Sequence, residues 1–117
     1  MKNLKAIFLG TFFVFALSAV KAQAYFGNIN KAADEVKATL AAHNPAAVKS
    51  KAQALIFAIS QPERIGASQR AAFGSYIGVL LVEARHITET LNLSHQQEHY
   101  DEFMKKWTEA KTKLKIK

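Results

Sequence analysis

Three of the four histidines fall in the C-terminal third of the chain, His86, His95 and His99, and Glu83 stands three residues before the first of them. Imidazole nitrogens and carboxylate oxygens are the donors that hold Cu(II) and Zn(II), whereas Cu(I) prefers sulfur. There is no cysteine, and Met104 is the one methionine beyond the N-terminal leader. His95 and His99 are one helical turn apart and would project from one side of a helix. A turn centred near Leu93 would fold the chain back on itself. His86 and His99 then face each other across a helical hairpin, with His95 nearer the loop. Glu83, one turn before His86, is the donor best placed to complete a set of two nitrogens and one oxygen. Met104, five residues after His99, points away from it on a regular helix. The expected ligands are therefore His86, His99 and Glu83, for a copper or zinc ion held weakly. Such binding needs neutral imidazoles and fades in acid. The competing expectation is a packed histidine, because His99 stands one turn before Phe103 at the edge of an apolar stripe.

Other chemistry is poorly provided for. The chain has no Gly-rich phosphate loop and no serine in a strand-to-helix elbow. Glu98 and Glu102 are one turn apart, with Lys105 and Lys106 just beyond, which is the pattern of a solvated face. Paired catalytic carboxylates need environments that push them apart in acidity, and nothing here supplies that. The expectation is a protein that is not an enzyme.

Four amphipathic segments must position the histidines. After a short leader at Tyr25–Asn28, a first helix should start near Asn28 or Asn30, with Ile29, Ala33, Val36 and Leu40 as its apolar stripe. His43-Asn44-Pro45 ends it, Asn44 caps the next helix, and Pro45 suits its first position. The second helix runs to about Ser60, with Val48, Ala52, Leu55, Ile56 and Ile59 inward, and Gln61-Pro62 breaks it. A connector at Glu63–Ser68 holds Gly66. The third helix, 67–91, carries Phe73, Tyr76, Leu80, Ile87 and Leu91, with Val79 and Val82 widening the stripe; Gly74 and Gly78 reduce bulk or admit a close neighbour. Ser94 and Gln97 read as a capping box for the fourth helix. That helix turns Tyr100, Phe103, Trp107, Ala110 and Leu114 inward, so Trp107 should be buried. No alternating strand pattern competes. The expected fold is all-α, an antiparallel four-helix bundle.

The first 24 residues read as a signal peptide. Lys2 and Lys5 form the charged start, residues 6–20 carry no charge, and Ala22-Gln23-Ala24 offers small residues where a peptidase reads them. An apolar run this short falls below the roughly 18–20 residues of a spanning helix. Cleavage before Tyr25 would leave a single four-helix domain, 25–117, with no transmembrane segment, exported to the periplasm or secreted, and without disulfides.

Charge is uneven along that domain. Residues 25–104 hold 7 basic and 8 acidic side chains, a net of −1, while residues 105–117 hold six lysines and one glutamate, a net of +5. Cations at a helix C-terminus complement its dipole. An acidic partner or membrane surface is the alternative target; nucleic acid is not expected, since an exported protein rarely meets it.

The stretch Ala84-Arg85-His86-Ile87-Thr88-Glu89-Thr90-Leu91, followed by Gln96-Gln97-Glu98-His99-Tyr100, resembles a recurring segment of the domain of unknown function 3347 family. Residues 47–59 resemble that family's Ala/Lys-rich second helix, and the likeness extends over most of residues 29–115. His86 and His99 match positions where the family's segment carries histidine. Gln97 stands where the family has arginine, and the chain lacks the Cys- and Met-containing segment that follows in many members. The resemblance implies an exported helical bundle from Gram-negative bacteria. The domain also occurs fused to periplasmic adaptors of heavy-metal efflux systems, so a metal-efflux or envelope partner and a link to copper handling are implied. Taken together, the expectation is a small monomeric periplasmic bundle, a metal-associated binding or accessory module. The alternative is a metal-free bundle that meets its partner through the Lys-rich C-terminal helix.

Overall fold

The computed structural model describes residues 23–61, 65 and 67–115. Residues 1–22, which hold most of the signal peptide expected over 1–24, the break at Pro62, the connector residues 63, 64 and 66, and residues 116–117 lie outside the described residues. Four helices account for nearly all of the rest, and no strand occurs among the described residues. They are α1 over residues 23–41, α2 Pro45–Ile59, α3 Ala67–Thr88 and α4 Leu93–Leu114.

Local sequence sets the turns. His43 adopts the left-handed conformation, φ 56°. Its N–H donates to the Leu40 carbonyl (3.1 Å) and that of Asn44 to the Thr39 carbonyl (3.3 Å), which satisfies the last carbonyls of α1. Asn44 then caps α2, its Oδ1 accepting the Ala47 N–H at 3.1 Å, with Pro45 at the first helical position. At the far end Asn92, rather than Ser94, caps α4 by accepting the His95 N–H at 3.1 Å. Asparagine is at least as good a cap as serine, and its use starts α4 at Leu93. Gln97 is released from capping and donates to Asp101 at 2.9 Å.

The helices run up, down, up and down. Glu35 on α1 pairs with Lys51 on α2 at 3.7 Å. The Tyr25 hydroxyl, at the start of α1, donates to the Ile59 carbonyl at the end of α2 (2.6 Å). Phe73 on α3 meets Trp107 on α4 edge-on at 6.0 Å. The Trp107 Nε1–H returns to α1, donating to Asn30 Oδ1 at 2.7 Å. Asp34 on α1 also acts on α4: burial first, then the carboxylates of Asp34 and Asp101, push the Tyr100 phenol above its ordinary acidity range. All four helices contribute to one core, centred on Val36, Val48, Leu55, Leu80, Phe103 and Trp107.

Four expectations need correction. Tyr25 to Asn28 is no leader: these residues are helical, and Tyr25 and Phe26 are core residues that pack with Phe73 and Trp107. Asn30 is not a cap, because it lies inside α1 and accepts the indole bond. Leu91 does not belong to the α3 stripe. The helix stops at Thr88, the Thr90 hydroxyl takes the Asn92 N–H at 3.0 Å, and Leu91 is left 61% exposed in the turn. Val79 and Val82 face outward, 43% and 46% exposed. Residues 71–82 carry no charge on any side, so periodicity alone could not say which apolar face turns inward. Gly74 and Gly78 lie on exposed positions of α3, with nothing within 4 Å of an added Cβ, so no helix among the described residues approaches them.

Gln96 is the fully buried polar side chain among the described residues, and its part in the fold was not legible in the sequence. Its Nε2 donates to the Pro45 carbonyl (3.0 Å) and to the Thr90 carbonyl (2.9 Å), tying the start of α2 to the α3–α4 turn. A Gln96→Leu replacement leaves both carbonyls without this donor and is expected to cost about 1–3 kcal/mol. The urea midpoint measures it, and an unchanged midpoint would mean that water serves those carbonyls equally well.

Candidate metal centre

The α3–α4 hairpin brings together Glu83, His86 and His99. Glu83 and His86 are one turn apart on α3, so both lean toward the same groove. His99 reaches that groove from the second turn of α4. One donor atom from each residue lies within 4.8 Å of the other two. Glu83 Oε2 and His99 Nδ1 are 3.2 Å apart, and the His86 and His99 rings are 4.7 Å apart between centroids, tilted by 57°.

The 3.2 Å separation has two chemical meanings. It is a hydrogen bond between carboxylate and imidazole. It is also close to the edge of a tetrahedron whose metal–ligand bonds are about 2.0–2.1 Å, which is roughly 3.3 Å. A carboxylate oxygen and a ring nitrogen thus stand at ligand spacing, with a donor of His86 within 4.8 Å of the other two residues' donors. His86 supplies a second observation. Its Nδ1 is buried and has no hydrogen-bond partner among the described residues. Buried polar atoms are ordinarily satisfied by protein, water or an ion; Gln96 Oε1 is a second buried atom without a partner among the described residues.

The site is half-open. Glu83 and His99 have side chains 21% and 33% exposed. His95 is exposed and does not join the cluster, and His43 lies at the far turn between α1 and α2. Met104 packs against the core and lines a separate groove with Tyr76 and Asp101, away from the histidines. Glu98 and Glu102 are both exposed, as a solvated face requires.

The sequence spacing anticipated this trio, but not the direct Glu83–His99 contact. A carboxylate sixteen residues before a histidine reads as nothing until the turn at residues 89–92 sets the register. The chain matches no protein-family model, no curated protein and no solved structure. No helix among the described residues is long and apolar enough to cross a membrane.

Proposed function

We propose that the chain is an exported, non-enzymatic helical bundle that binds a divalent transition-metal ion through Glu83, His86 and His99. The observation that carries this reading is the convergence of three donors from two helices, all within 4.8 Å of one another. Two nitrogens and one carboxylate oxygen suit Cu(II) or Zn(II) and disfavour Cu(I). The resemblance of residues 84–100 to the domain of unknown function 3347 family supports the same direction, toward a periplasmic module associated with metal efflux or the envelope.

Calorimetric titration of the full chain with Cu(II) tests the site. One ion per chain is expected, with a dissociation constant of about a micromolar or weaker. Binding is lost in the His86→Ala, His99→Ala double variant, and it weakens in acid as protons compete for the imidazoles. Binding unchanged in the double variant would move the metal elsewhere. No binding would favour a bundle that works through partner contact alone, by way of its Lys-rich C-terminal helix.

Export is supported by Lys2 and Lys5, the uncharged run at 6–20, and Ala22-Gln23-Ala24. The intact mass of the exported chain is expected to begin at Tyr25. A mass that includes residues 1–24 would point to an anchored protein instead.

A further inference from the structure

We propose that the Glu83–His86–His99 centre is an exchange site, which takes one ligand from an external nitrogen or oxygen donor and passes its metal on through a mixed complex. This rests on the metal reading above and goes beyond it. Structural zinc sites are closed by four protein donors, whereas three-donor sites leave a position for water or an incoming molecule. Here the donors number three, and no further His, Cys, Asp or Glu joins them among the described residues. The cluster also has a partly exposed rim, with the Glu83 and His99 side chains 21% and 33% exposed. Val79 and Val82 share a side of α3 with Glu83 and His86, and both are 43–46% exposed. The groove therefore opens beside a surface from which a donor can arrive.

The protein's own ligands leave in exchange. An incoming lone pair forms one bond to the metal as the water there leaves. Glu83 and His99 are released next and close on each other again, at the 3.2 Å they keep without metal. His86 is released as the acceptor completes its set. Each bond broken is matched by one made to the acceptor. The imidazoles bind and leave neutral, no electron moves, and a Cu(II) ion departs as Cu(II).

The rate law tests this. Cu(II)-loaded full-length chain is mixed with rising concentrations of a polyaminocarboxylate chelator, and loss of the visible copper band is followed. Exchange through an open position makes doubling the chelator double the rate. A rate independent of chelator would show release before capture and overturn the proposal while leaving the metal site intact. Imidazole added to the loaded chain provides a second measurement. The band is expected to shift while copper stays with the protein on gel filtration; an unmoved band would show that the fourth position is closed and also overturn it. A chain that takes up no Cu(II) in the calorimetric titration removes the metal reading itself, and the exchange proposal with it.

Discussion

Replacing Trp107 with alanine is expected to cost about 3–5 kcal/mol, the range for deleting a large buried aromatic. Trp107 is fully buried, packs against Phe26 at 6.2 Å and Phe73 at 6.0 Å, and carries Lys111 over its ring at 5.6 Å. Its Nε1–H is satisfied by Asn30 across the bundle. The replacement therefore removes contacts to two other helices at once and strands the Asn30 amide oxygen. Domains of this size are stable by roughly 5–15 kcal/mol, so the loss takes a large share of the total. Helical circular dichroism through a urea titration measures it without relying on the tryptophan signal. Trp107→Phe separates the two contributions, since it keeps most of the packing and loses only the indole bond. A change for the alanine variant below about 0.5 kcal/mol, the usual surface value, would contradict the buried placement.

Loading with Cu(II) is expected to raise the thermal midpoint substantially. A ligand that binds only the folded state, present at roughly 100 times its dissociation constant, adds about 2.7 kcal/mol. For a domain of this length each kcal/mol moves the midpoint by about 4–8 °C, which gives a shift of about 10–20 °C. The structural reason is that the ligands come from both arms of the α3–α4 hairpin, so separating those helices requires giving up the metal. Differential scanning with and without Cu(II) provides the measurement. The shift disappears in the His86→Ala, His99→Ala double variant, and a shift that persists there would locate the stabilising ion at another place on the chain.

Periodicity made the architecture legible wherever charge marked the outer face. In α1, Lys31, Asp34, Glu35 and Lys37 stand off the apolar stripe, in α2 Lys49 and Lys51 do so in its first half, and Ile29, Val36, Val48 and Leu55 are buried as that pattern requires. In α3 the uncharged stretch 71–82 removes the contrast, so Val79 and Val82 could not be told from core residues. The start of α1 was hidden for another reason. Reading Tyr25 as the first residue after a leader made it look like a frayed end, whereas its ring and hydroxyl are held by the ends of α2 and α3. The metal candidates were visible because hairpin register follows from loop position. Gln96 was not, because its two acceptors are backbone carbonyls, one of them 51 residues away, and no side-chain pattern announces a carbonyl.

The burial of Tyr25 has a consequence for biogenesis. If a peptidase cuts before Tyr25, the bond it must reach joins two residues that lie within α1 in the folded bundle. Residue 25 is 1% exposed, and its hydroxyl is bonded to the Ile59 carbonyl. Access to that bond then requires opening the first turns of the helix, and with them the aromatic contacts to Phe73. Cutting and folding are therefore competitors in time. Helical bundles close quickly, within microseconds to milliseconds, once their segments are free to meet. On that expectation, removal of residues 1–24 must precede the pairing of α1, and a chain that closed first would keep them attached.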